Sequence, residues 1–116
     1  MLEVYVRSTC SSCKKAERDV HDSGHAFPGR DFFKEPLSTA EIGSLLERVG
    51  ISLADAVATR SVPYKDLNLA NELMSNEEIL ELMAEHPALL RRPIVVRGNE
   101  GLIGYNQKTL AKFLSV

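Results

Sequence analysis

The sequence predicts a single α/β domain in which a small mixed β-sheet is flanked by helices and interrupted by an all-helical insertion. Three observations predict it. Leu2, Val4 and Val6 alternate with Glu3, Tyr5 and Arg7, the two-residue period of a strand, and that period gives way to a helical one at Cys10 and Cys13. A central stretch carries helix-start signals at Ser38 and Ser75 with apolar residues at helical spacing behind each. The chain then closes with an apolar run, a turn-rich link and a last amphipathic stretch. At 116 residues it has room for one core and not for two ordinary ones, so one domain, 1–116, is expected. Its core is read as about 1–34 and 88–116, with the insertion at about 35–87.

The elements follow in order. Strand one covers residues 2 to 7, and Ser8-Thr9 break its alternation. From Ser11 the run Lys14, Lys15, Ala16, Glu17, Arg18, Asp19, Val20 favours a helix that stops before Gly24. Ala26 to Phe33 supplies a second short strand, with Pro28 and Gly29 inside it. Ser38-Thr39-Ala40-Glu41 is a capping box that starts a helix through Ile42, Leu45, Leu46 and Val49 to Gly50. Leu53 to Ala58 reads as a short helix, Ser61-Val62-Pro63 as a turn, and Tyr64 to Leu67 as one more helical turn.

Ser75 caps a further helix whose buried stripe is Ile79, Leu80, Leu82 and Met83, ended by His86-Pro87 because the residue before proline disfavours helix. Pro93 to Arg97 is a strand, Gly98-Asn99-Glu100-Gly101 links it to an antiparallel partner at Leu102 to Tyr105, and a last helix runs from Gln107 to Leu114. The order β-α-β, helices, β-β-α is that of a thioredoxin or glutaredoxin core carrying a helical insertion.

Composition narrows the function classes. With 44% apolar and 26% charged residues and a formal charge of −2, the chain is ordinary globular material, with no basic excess to neutralise phosphates, so direct nucleic-acid binding is not expected. The apolar runs around Val4 and at Ile94 to Val96 fall far short of the roughly 20 residues a membrane span needs, and no membrane role is expected. The start Met1-Leu2-Glu3-Val4 leads into a strand pattern without a basic n-region, which points to the reducing cytosol. A monomer without a metal or bound cofactor is expected, since one close cysteine pair does not make the four ligands of a structural zinc site.

The chemistry concentrates in the dithiol. Cys10 and Cys13 lie at a strand-to-helix junction, where the unpaired amides and dipole of a helix start favour a thiolate, the form of sulfur that attacks. Cys13, one turn on, is placed to resolve a mixed disulfide or sulfenic acid on Cys10, and Lys14 and Lys15 add positive charge nearby. Arg60 in Thr59-Arg60-Ser61 and Arg92 at the mouth of a strand are candidate guanidinium partners for a thiolate or oxyanion. Gly50 and Gly104 read as backbone punctuation.

The residues together resemble the arsenate reductase and Spx family over nearly the whole chain. The strings that carry it are Ser8-Thr9-Cys10-Ser11-Ser12-Cys13-Lys14-Lys15-Ala16, Glu35-Pro36-Leu37-Ser38, Thr59-Arg60-Ser61, Glu85 through Ile94, and Gly104-Tyr105-Asn106. The resemblance implies a thioredoxin-like fold with a helical insertion, a nucleophilic thiol at Cys10, a cis-proline at Pro93 and roles for Arg60 and Arg92.

In the arsenate reductase branch one cysteine forms an arsenate adduct held by three arginines, and glutathione and glutaredoxin release it. Two of those arginines match here, and the third position falls near Gly104-Tyr105, where the chain has none. The paired cysteines and the Leu-Leu-Arg-Arg-Pro-Ile and Gly-Tyr-Asn strings are more similar to the Spx branch. That branch implies a reversible Cys10–Cys13 disulfide as a stress switch and the C-terminal domain of the RNA polymerase alpha subunit as partner. A thiol reductant such as glutathione with glutaredoxin, or thioredoxin, is the implied co-reactant. A redox-sensing regulator, an arsenate reductase-like oxidoreductase with Cys10 as nucleophile, and a general protein disulfide oxidoreductase all remain open at this point.

Overall fold

The computed structural model describes residues 2–25 and 29–115. Strand β1 (Leu2–Val6) lies inside a four-stranded sheet, parallel to β2 (Gly29–Asp31) on one side and antiparallel to β3 (Ile94–Arg97) on the other. β3 in turn pairs antiparallel with β4 (Glu100–Ile103), giving the order β2-β1-β3-β4. Helix α1 (Ser11–Asp22) joins β1 to β2, and α6 (Gln107–Leu114) ends the chain. Between β2 and β3 come α2 (Thr39–Val49), α3 (Leu53–Ala56), α4 (Val62–Asp66) and α5 (Asn76–Glu85), with short 3₁₀ turns at Leu69–Asn71 and Pro87–Leu89. This is the expected thioredoxin-like α/β arrangement with its helical insertion.

Alternation along the strands divides the core in two. Leu2, Val4 and Val6 of β1 and Val95 of β3 pack with Cys13, Ala16 and Val20 of α1 and with Leu110 and Leu114 of α6. Ile94 and Val96 point the other way, into Phe32, Ile42, Leu46, Met83 and Leu90. Because β3 is covered on both faces its apolar run is unbroken, as in strands buried between layers.

Several boundaries differ from the expectation, each for a local reason. The 26–28 part of the expected second strand lies outside the described residues; the described strand ends at Asp31, whose carboxylate accepts the Phe33 and Lys34 N–H groups and turns the chain. Helix α3 stops two residues early because Val57 leaves it to bridge Leu90, while the Ala58 N–H donates to the Leu89 carbonyl at 2.7 Å. Ser61-Val62-Pro63 is a helix start and not a turn. Ser61 Oγ accepts the Tyr64 N–H, and Pro63 sits in the first turn of α4, where a missing N–H costs nothing.

The hairpin is tighter than its turn-rich sequence suggests. Glu100 and Gly101 belong to β4, opposite Arg97 and Val96, and leave Gly98-Asn99 as a two-residue turn. Gly98 takes φ +60, which such turns demand and which glycine adopts without a Cβ penalty. β4 then ends at Ile103, so Gly104 and Tyr105 lie in the loop before α6. The α5 stripe is also only partly covered. Met83 is fully buried, while Ile79, Leu80 and Leu82 keep some exposure.

Candidate redox site

Cys10 is the N-cap residue of α1. Its extended backbone ends β1's exit loop, and its sulfur accepts the Cys13 N–H at 3.4 Å, the bond a capping side chain makes to a free amide of the first turn. The loop is held from the sheet side, where the Ser8 N–H donates to Asp31 Oδ2 at 2.9 Å and the Cys10 N–H to the Arg7 carbonyl at 3.0 Å. That Ser8 bond, with those from Phe33 and Lys34, lowers the Asp31 carboxyl to about 2. Asp31 was not legible as a site residue, since a lone Asp at a strand end carries no distinguishing signal.

The two thiols face opposite electrostatic fates. Partial burial works against ionising Cys10, but hydrogen bonds from Ser12, from the Cys13 thiol and from the Cys13 N–H, together with the Arg92 guanidinium, outweigh it. Its pKa drops from the ordinary 9.0 to about 7. The Ser12 hydroxyl is 3.1 Å from the Cys10 sulfur. Cys13 has no exposed surface, and that burial, reinforced by its bond to Cys10 and by the Cys10 charge, pushes its thiol up to about 12. Near neutral pH the pair is therefore a half-exposed thiolate beside a buried thiol. Lys14 and Lys15 are exposed, and the nearest effective cation is Arg92, which the fold brings in from the start of β3.

A cleft of about 590 Å³ opens over Cys10, lined by Ser12, Ala58, Arg60, Ser61, Arg91, Arg92, Gly104 and Tyr105. Thus Cys10, Arg60 and Arg92, distant in sequence, meet in one place, with Cys13 directly beneath. Arg60 is exposed at the cleft edge, Arg92 is half-buried with its guanidinium 5.2 Å over the Phe33 ring, and the Arg92–Pro93 peptide bond is cis. Both free thiols and the cleft fit a thiol-disulfide chemistry that needs no metal.

Arg91, Gly104 and Tyr105 of the cleft lining were missed as site elements. Arg91 donates from Nη1 to the Asp55 carbonyl at 2.9 Å, and its other Nη lies where a Cβ on Gly104 would be, only 2.5 Å away. Gly104, at φ +81, is therefore more than punctuation: it makes the space that admits a third guanidinium to the cleft. Tyr105 reaches across to α1 and donates to Asp19 Oδ2 at 2.6 Å, tying the far wall to the helix that carries the cysteines.

Two expected results follow. Ser12→Ala raises the pH midpoint of Cys10 alkylation by about one unit, the worth of one hydrogen bond to a charged group, and Arg92→Gln raises it by less, because the guanidinium contributes less. Rates of iodoacetamide modification against pH measure both. The second concerns stability. The folded Cys10 thiol is more acidic than the unfolded one, so its contribution is complete above about 9 and is lost as pH falls through about 7. Cys13 has the opposite sign, its contribution present below 9 and lost as pH rises toward about 12. Urea midpoints of the wild type minus those of Cys10→Ser rise between pH 7 and 9; a flat difference would refute the depressed thiol.

Comparison with known proteins agrees with this geometry. The model of the ArsC family matches residues 5–113. The global transcriptional regulator Spx of Bacillus subtilis is 34% identical over 114 residues, spanning 98% of this chain and 87% of that protein. The Spx of Enterococcus faecalis is 32% identical over 98% of this chain and 86% of its own length. Among solved structures, one from Yersinia pestis superposes with a TM-score of 0.85 at 25% identity over 100% of both chains. The arsenate reductase from Vibrio cholerae shares the fold at a TM-score of 0.84 and 23% identity, over 99% of this chain and 96% of that one.

Proposed function

The chain belongs to the ArsC family and has an Spx-like or arsenate reductase-like role, and from that premise we propose that it is an Spx-like redox-sensing regulator switched by a reversible Cys10–Cys13 disulfide. The observation that carries the reading is the pairing of a thiolate at about 7 with a buried thiol that bonds to it. The switch runs as thiol-disulfide exchange. The Cys10 thiolate attacks one sulfur of an oxidised disulfide, forming a mixed disulfide and releasing one thiolate.

Cys10 then carries no charge, so the two causes it contributes to the high Cys13 pKa disappear. Cys13 loses its proton to solvent and attacks the Cys10 sulfur, closing the protein disulfide and releasing the second thiolate. Reduction by glutathione with glutaredoxin, or by thioredoxin, reverses both steps. Closing the bond removes the thiolate that Arg92 and the α1 N-terminus face, and the surface around the cleft changes charge.

The partner we propose is the C-terminal domain of the RNA polymerase alpha subunit, in the cytosol, with the protein acting as a monomer and making no direct nucleic-acid contact. Among the described residues no helix is long and apolar enough to cross a membrane. Calorimetry with the purified alpha domain against the reduced and the disulfide forms tests this. Different affinities support the reading, and no binding in either state refutes it.

One observation favours a second reading, an arsenate reductase-like oxidoreductase with Cys10 as nucleophile. Arg91 brings a third guanidinium to Gly104, the place where the arsenate reductase resemblance calls for one. Arsenate-dependent consumption of glutathione by the wild type, lost in Cys10→Ser, would establish it, and no turnover in the wild type eliminates it.

A further inference from the structure

The helical insertion holds a second cleft, of about 370 Å³, on the other side of the segment 57–64. Its lining is almost wholly apolar, with Val57 and Tyr64 on one wall and Ile79, Leu82 and Met83 of α5 on another. Of these, Ile79 and Leu82 are α5 residues that the core leaves partly uncovered, and the buried Met83 forms the floor. At the mouth stands Leu73, fully exposed, and Glu72 beside it is the one charged residue in the lining.

Charge says what fits there. Residues 62–86 hold one lysine and six carboxylates, a net −5 with His86 neutral, whereas the rest of the chain carries +3. Glu78 and Glu85 lie four residues before and three after Leu82, on the neighbouring ridges of α5, and both are exposed. Among the described residues neither these two nor Glu72 is ion-paired. An apolar groove with the carboxylate of Glu72 in its lining, set in a stretch of net −5, is complementary to a cationic amphipathic helix, whose apolar face fills the groove while its lysines and arginines meet the surrounding acidic surface.

The groove also shares a wall with the thiol cleft. Along that segment Val57, Thr59 and Tyr64 face the apolar groove, whereas Ala58, Arg60 and Ser61 face Cys10. We propose that this groove docks a cationic amphipathic helix of a partner protein and that its occupancy is felt at the thiol cleft through the shared wall, by displacing Arg60. The second half of the proposal rests on the redox reading of Cys10; the first half does not.

The test uses the full chain, methyl-labelled at methionine, because Met74 and Met83 both line the groove and only three methionines are present. A synthetic leucine-lysine amphipathic helix is titrated in, beside a leucine-glutamate helix with the same apolar face and a small aliphatic alcohol. The expected result is saturable movement of the Met74 and Met83 signals with the lysine helix alone. Affinity should fall about tenfold in Glu72→Lys/Glu85→Lys. Glu78 is kept because its carboxylate closes the α5 capping box.

Equal binding of both helices, binding of the alcohol alone, or the same shifts on concentrating the protein without peptide would each overturn the docking. For the coupling, Cys10 alkylation is timed with and without saturating lysine helix, and an unchanged rate overturns that half. A chain whose Cys10 proves inert under all conditions refutes the redox reading while the methyl signals still judge the groove.

Discussion

Replacing Cys10 with serine lowers the rate of iodoacetamide modification at pH 7 by at least about a thousandfold. The argument rests on thiolate supply. A thiol at about 7 is roughly half ionised at that pH, whereas one held at about 12 supplies on the order of one thiolate in 10⁵. Burial adds to the difference, since Cys13 has no exposed surface for a reagent to reach. Removing Cys10 takes away its charge and its hydrogen bond, which relaxes Cys13 somewhat, but burial is the largest cause and remains. Mass spectrometry of the modified protein over time measures the rate and the site. Modification of Cys13 in the variant at a rate near that of the wild type would show that the two thiols are not differentiated, and the directed two-step switch would fail with it.

Phe32→Ala destabilises the fold by about 3–5 kcal/mol, the usual cost of emptying an aromatic site in a core. Phe32 is 1% exposed and packs in the cluster that joins the insertion to the sheet, with Ile42, Leu46 and Ile94. Its N–H extends the strand pairing to the Val6 carbonyl at 3.1 Å, so the side chain is fixed at the edge of the sheet and has little freedom to collapse into the void. Against a total of about 5–15 kcal/mol for a domain, the loss is a large share of the whole. Chemical denaturation with the midpoint and slope both recorded measures it. The ring also stands 5.2 Å from that of Phe33, over which Arg7 and Arg92 both lie, so the same variant loosens the support of a cation that faces Cys10. A loss below about 1 kcal/mol would show that the insertion packs independently of this residue.

What could be read in the chain beforehand tracks where the determinants are local. The capping box of Ser38 with Glu41 appears in the structure with both reciprocal bonds present, and Ser75 caps α5 as expected, completed by a reciprocal bond from Glu78 that the sequence reading did not name. The last helix spans the expected Gln107–Leu114, and the α1 start at Cys10 follows from the break in alternation. Boundaries failed where a long-range bond competes with local preference. Val57 abandons α3 for Leu90, more than thirty residues away, and β4 begins earlier than its glycine suggests because Arg97 and Val96 offer partners. The α5 stripe was read as buried, yet a helical period says only that one face is apolar, not that something covers it.

By itself the sequence determined the order of elements, the dithiol at a helix start and the family, because these depend on periodicity, caps and strings of neighbouring residues. The tertiary structure alone decided how strongly Cys13 is held back from ionising beside the Cys10 that the sequence marks as the attacking sulfur, since that turns chiefly on burial, and it alone brought in Arg92, a smaller contributor, from just before β3. It alone also placed Arg91 against Gly104, a contact between two loops that depends on the absence of a side chain. Charge and burial are set by what surrounds an atom in space, and those surroundings are assembled from parts of the chain that share no local pattern.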